Sequence, residues 1–158
     1  MLNATRIRSL GMFVGVAVVA LCVLPGQALA QKNSAENVKI KATADKGKDG
    51  SRIIKLTLSV ADGWYIYANP VGNEDLAPNA TTVKIKGVKD ADVKVTYPKA
   101  KVKEDKIVGS YKYYTGDVPI DVTVQNSSGP LEFQVQVTTC HLIRGVCLQP
   151  GTVKVIVP

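Results

Sequence analysis

From Asn37 to the end of the chain, apolar residues tend to fall on every second position, a period that suits strands and leaves little room for helices. Val38, Ile40 and Ala42 alternate with Lys39, Lys41 and Thr43. After the turn-forming run 46–50 (KGKDG) the alternation resumes at Ile54, Leu56, Leu58 and Val60, so these two runs are expected to pair as a hairpin. Asp62-Gly63 marks the next turn, and Trp64–Tyr67 (WYIY) reads as an aromatic strand whose rings are costly to leave wet. The stretch 68–80, rich in Asn, Pro and Gly, predicts an irregular loop, and Val83 with Ile85 and Val93 with Val95 predict two short strands. Between Tyr97 and Gly116 clean alternation is lost, and a long, partly ordered excursion carrying Tyr111, Tyr113 and Tyr114 is expected there. Val118, Ile120, Val122 and Val124 form a further strand. Leu131, Phe133, Val135 and Val137 form another, and Val153, Val155 and Val157 close the set. About eight short strands separated by turns predict an all-β fold, an immunoglobulin-like β-sandwich of two antiparallel sheets.

The first thirty residues do not follow this pattern. Arg6 and Arg8 precede the apolar run LGMFVGVAVVALCVL, and Ala28-Leu29-Ala30 follows it, the layout of a secretory signal peptide cleaved after Ala30. The run is shorter than the roughly 20 residues of a spanning helix. Lipid anchoring at Cys22 is disfavoured, because Leu21 before it is larger than the small residue such processing sites carry. Residues 31–158 are then one domain, expected to be periplasmic or secreted and without a membrane span. Losing Arg6 and Arg8 lowers the formal charge from +7 to +5, a mild excess that calls for no nucleic acid. Its lysines occupy outward strand positions, and only Lys99, Lys101, Lys103 and Lys106 are dense enough to suggest a docking patch.

Cys140 and Cys147 are the two cysteines left in the mature chain, in a compartment where disulfides persist. In the strand that starts at Leu131 the apolar residues hold the odd positions. If no bulge intervenes, Cys140 therefore falls on the outward face with Glu132, Gln134, Gln136 and Thr138. A bond across so short a loop restricts the unfolded chain little, worth about 2.5 kcal/mol in the chain-entropy model, so it can open without unfolding the domain. His141 and Arg144, in the connecting loop, are candidates for stabilising thiolate charge. Spacing alone leaves three readings open: a redox pair, a structural clip on a binding or scaffold module, and a copper(I) site of two thiolates with His141. The last has no methionine in the mature chain to complete it. No cofactor is implied.

The segment Asp62–Tyr67 (DGWYIY) and the cysteine strand ending CHLIRGVCLQP together resemble the N-terminal periplasmic domain of the thiol:disulfide interchange protein DsbD, over nearly all of the mature chain. The resemblance implies an immunoglobulin-like domain whose two cysteines cycle between dithiol and disulfide. They would take electrons from a separate membrane donor and reduce thioredoxin-like periplasmic proteins. It makes Cys140 and Cys147 the catalytic pair, with Cys147 engaging the acceptor and Cys140 resolving. It also implies a cap loop at Asp105–Gly109, with Ile107 or Val108 shielding the sulfurs and Tyr65 and Tyr67 packing nearby. Six residues separate the cysteines, one more than the family pattern; Gln149 stands where that pattern has a first proline; and the cap lacks an aromatic tip. The chain ends at Pro158, so the reductant is expected on another polypeptide.

Overall fold

A computed structural model describes residues 32–47 and 49–158, so the expected leader and Cys22 lie outside the described residues. Eleven strands follow in chain order: β1 (Val38–Lys46), β2 (Arg52–Val60), β3 (Trp64–Tyr67), β4 (Thr82–Ile85), β5 (Val93–Thr96), β6 (Lys101–Asp105), β7 (Gly109–Tyr114), β8 (Asp117–Val124), β9 (Leu131–Val137), β10 (Thr139–His141) and β11 (Gly151–Val157). Hydrogen bonding arranges them as three antiparallel sheets, ordered β1-β2-β8-β5, β11-β9-β4 and β10-β3-β7-β6. The fold is the expected immunoglobulin-like sandwich, with one of its two layers divided. β9 pairs with β11 and β4 as far as Val137, breaks at Thr138, and resumes as β10 beside β3.

Period-two patterning explains the core. The inward residues of β2 and β8 (Leu56, Leu58, Ile120, Val122) meet those of β9 (Phe133, Val135, Val137) in one cluster, and each of these is 0% exposed. A buried side chain of this size contributes about 1.5–3 kcal/mol, so this cluster carries most of the stability. β1 and β2 pair as the expected hairpin, with Val38 opposite Val60 and Lys46 opposite Arg52.

One expectation fails between Tyr97 and Gly116, which holds a regular hairpin, β6 on β7, with Lys101 opposite Tyr113 and Lys103 opposite Tyr111. Alternation is present there, but the covered side is built from tyrosines under a lysine rather than from aliphatic residues. A hydrophobicity pattern therefore misses it.

A short 3-10 turn, Ser34–Asn37, ties the start of the domain to the strand that carries the cysteine. Ser34 is fully buried, and its Oγ accepts a 2.8 Å hydrogen bond from the N–H of Thr139. β11 begins against this turn with Gly151, where an added Cβ would lie 2.5 Å from the Ala35 nitrogen.

Candidate functional site

β3 is short, and both of its faces are used. Ile66 is fully buried in the main core and Trp64 packs against that core. Tyr65 and Tyr67, on the opposite face, join Val71, Ala80, Tyr111 and Cys140 in a second cluster. Gly63, at φ 80°, makes the turn that launches this strand, and its carbonyl accepts the N–H of Leu142 at 2.8 Å. β10 then lies on β3 with Cys140 opposite Tyr65 and His141 opposite Trp64.

Cys140 and Cys147 are joined by a disulfide, with S–S 2.02 Å and Cα–Cα 4.0 Å. The expectation that Cys140 faces outward is corrected: Cys140 is 1% exposed. The break at Thr138 is the cause. Val137, Thr138, Thr139 and Cys140 are all buried in succession, so the strand changes phase as it passes from one sheet to the other. Cys147, on the return of the loop, is exposed.

The sulfurs meet a wall of phenols. The Tyr67 hydroxyl lies 3.6 Å from Cys140 Sγ and 4.0 Å from Cys147 Sγ. A disulfide sulfur has no hydrogen, so the phenol donates. Tyr65 and Tyr111 join hydroxyls at 3.0 Å. Rings of Tyr65 and Tyr67 meet edge to face at 5.6 Å, and those of Tyr65 and Tyr113 at 5.3 Å. The Lys103 ammonium sits 5.7 Å from the centre of the Tyr65 ring and 5.9 Å from that of Tyr111. Burial pushes the Tyr65 phenol well above its ordinary value, reinforced by the bond to Tyr111, and burial likewise raises Tyr67. Both phenols therefore stay protonated at neutral pH, which keeps Tyr67 a donor toward sulfur.

The remaining expected residues divide. Tyr65 and Tyr67 pack at the disulfide. Ile107, 93% exposed, lies on the β6–β7 turn in solvent, and Val108 is 41% exposed, so the apolar cover over the buried sulfur is supplied by Tyr65, Tyr67 and Tyr111. That turn is instead held by Asp105, which accepts the N–H groups of Ile107 and Val108, and by Asn73, which donates to the Val108 carbonyl at 2.6 Å. His141 organises its own loop. Its Nδ1 accepts the N–H groups of Ile143 at 3.3 Å and Arg144 at 3.2 Å, while its ring stands edge-on to Trp64 at 5.2 Å. Arg144 is exposed in the same loop. Among the described residues no three His, Cys, Asp or Glu side chains group to hold a metal, so the copper reading gains no observation here. No described helix is long and apolar enough to cross a membrane.

Sequence reasoning names Tyr111 only within an excursion and Lys103 only within a docking patch, not at the cysteines, and does not single out Ser34. The signal for Tyr111 was its period-two spacing with Tyr113 opposite alternating lysines on β6. Ser34 has no local signal, since its partner lies about a hundred residues away.

The model of the family described as thiol:disulfide interchange protein DsbD, N-terminal, matches residues 28–157. The chain is similar in fold to the reduced DsbD N-terminal domain of Neisseria meningitidis, with TM-score 0.56 and 17% identity over 80% of this chain and 88% of that one. It is similar to the N-terminal periplasmic domain of ScsB from Proteus mirabilis, with TM-score 0.52 and 21% identity, over 76% of this chain and 46% of that one. A structure of the complex between the DsbD N-terminal and PilB N-terminal domains of Neisseria meningitidis matches with TM-score 0.52 and 15% identity, over 74% of this chain and 80% of that one. No curated protein sequence matches the chain. Aromatic strand, cysteine hairpin and sandwich thus occur together within the stretch, residues 28–157, that the family model covers: the chain belongs to the family of DsbD N-terminal domains.

Proposed function

We propose that this is an exported thiol–disulfide exchange protein that passes electrons between proteins through Cys140 and Cys147. The observation that supports the reading best is the asymmetry of the pair, one sulfur exposed and the other 1% exposed beneath a phenol donor, in a hairpin outside the main core. In-line attack needs one reachable sulfur and a leaving sulfur whose negative charge is stabilised. A partner thiolate attacks Cys147 Sγ; the bond to Cys140 breaks; Cys140 leaves as a thiolate that accepts the Tyr67 hydrogen bond. The partner's second thiolate then resolves the mixed disulfide, leaving the partner oxidised and this chain a dithiol. The same steps in reverse reduce an acceptor.

Family membership supports thioredoxin-like redox proteins as partners, and the PilB complex is an instance for the Neisseria domain. A separate membrane protein as donor and a periplasmic location follow from the same reading, together with the leader-like N-terminus. Equilibration of residues 31–158 in glutathione buffers, with free thiols trapped, tests the proposal. Measurable reduction above about −300 mV is expected, and a potential far below it, in the range of inert structural bonds, would sink the redox role.

A further inference from the structure

Cys140 is the sulfur that must carry negative charge when the disulfide opens, and it is 1% exposed. Burial raises the cost of that charge, and a nearby cation lowers it. Neither cation of the cysteine loop is placed to do so. Cys140 pairs with Tyr65 and His141 with Trp64, so alternation along β10 turns the His141 ring away from the sulfurs, to within 5.2 Å of Trp64. Arg144 is exposed in the loop. Lys103 reaches the site from β6. It lies opposite Tyr111, a pairing that puts both side chains on one face, and Tyr111 belongs to the cluster that holds Cys140. Its ammonium sits over the Tyr65 and Tyr111 rings and pairs with no carboxylate among the described residues. Of the other charges on that face of β6, the Lys101 ammonium is turned to the Thr115 hydroxyl at 2.8 Å, and the Asp105 carboxylate accepts the N–H groups of Ile107 and Val108. Burial raises the Tyr67 phenol; of the two charges that act on it, Lys103 draws it down and Asp105 pushes it up. A charge felt at that hydroxyl is felt at the sulfurs, which lie 3.6 Å (Cys140) and 4.0 Å (Cys147) from it.

We propose that Lys103, acting across the tyrosine wall, is the cation that stabilises the Cys140 thiolate as the disulfide opens. The role rests on the reading that the disulfide is exchanged, and adds the residue that sets how readily the buried sulfur leaves. The attacking thiolate bonds to Cys147 Sγ, the Cys147–Cys140 bond breaks, and its electron pair stays on Cys140. Negative charge therefore appears beside the Tyr67 hydroxyl, among buried rings, where a fixed cation acts more strongly than it does in water. Lys103 is held there before the charge forms. It is half-buried, and attraction to the faces of two phenol rings offsets part of the hydration that its ammonium gives up. A cation already in place needs no rearrangement at the moment of bond breaking. Its part is electrostatic: Lys103 gives no proton and makes no bond in the exchange. The same charge favours Cys140 as a thiolate when the steps run in reverse and the dithiol reduces an acceptor.

Three variants of residues 31–158 test this. Lys103→Met keeps an apolar stem over the rings and removes the charge, Lys103→Arg keeps the charge, and Lys101→Met removes a charge from the same face of β6. The first readout is the Cys140 Cβ signal of the reduced proteins in NMR, followed against pH. The midpoint of thiolate formation should rise by about one pH unit in Lys103→Met, be restored in Lys103→Arg and not move in Lys101→Met. The second is the rate at which dithiothreitol opens the disulfide at pH 7, which should fall about threefold in Lys103→Met and recover in Lys103→Arg. A merely structural clamp would change the melting temperature and leave the midpoint where it was. The influence is reciprocal, so the Lys103 Nζ signal of the unsubstituted protein should show a step at the Cys140 midpoint when reduced and none there when oxidised. An unmoved midpoint in Lys103→Met overturns the proposal, as does an equal rise in Lys103→Arg or in Lys101→Met. A missing step at Lys103 also overturns it, and being read in the unsubstituted protein it stands even if Lys103→Met does not fold. If dithiothreitol leaves the disulfide of the unsubstituted protein closed, the exchange reading itself falls instead.

Discussion

Reducing Cys140–Cys147 is the perturbation that most directly separates an exchange site from a structural clip. The bond spans a sequence separation of 7. For a ring of about eight residues the chain-entropy model assigns it about 2.5 kcal/mol. The main core does not depend on it: Cys140 belongs to the tyrosine cluster, while Leu56, Ile120 and Phe133 are fully buried in the other. A domain of this size holds roughly 6–19 kcal/mol, so reduction leaves it folded. At about 3–4 °C per kcal/mol the melting temperature should fall by about 8–10 °C. Thermal unfolding of residues 31–158, followed by circular dichroism with and without a phosphine reductant, measures this. A single cooperative transition is expected in both states. If the reduced protein shows no cooperative transition at 25 °C, the bond is what holds the domain together and the argument fails.

Three further outcomes follow from named contacts. Tyr67→Phe removes the phenol that faces both sulfurs and should destabilise the Cys140 thiolate, lowering the reduction potential by about 30 mV, roughly tenfold in the glutathione equilibrium; an unchanged equilibrium would show that the hydroxyl is idle. Ser34→Ala strips the Thr139 N–H of its acceptor inside the protein and should cost about 1–3 kcal/mol in denaturant unfolding, more than most surface changes in the same turn. At high pH, burial holds the phenols of Tyr65, Tyr67, Tyr97 and Tyr114 above the ordinary value of about 10. The unfolded chain then gives up these protons first, so their contribution is intact below about pH 10 and is lost as pH rises beyond it. Phenolate absorbance should appear later in the native protein than in urea, and coincident titrations would refute the burial argument.

Much of the sandwich was legible because a strand with one buried face writes its register into the sequence locally. Ile54, Leu56, Leu58 and Val60 needed no partner to be recognised as inward residues, and the structure buries all four. The 97–116 region was not legible. Tyr111 and Lys103 do not look like core, and they make a covered face only when β6 and β7 are folded onto β3. Ile107 was placed over the sulfurs by position within a motif, and its actual exposure depends on how Asp105 and Asn73 hold the turn.

The cysteine pair shows the division most clearly. Sequence by itself determined that two cysteines close a short hairpin at the end of a strand, because their spacing is a property of the chain. Which sulfur faces inward was decided by the tertiary structure alone. Parity along β9 gave the wrong side for Cys140, since the break at Thr138 moves the strand from β11 and β4 to β3, and with it the phase. A phase change is invisible locally: it is set by which neighbour the backbone pairs with next, and that neighbour, β3, lies more than seventy residues upstream.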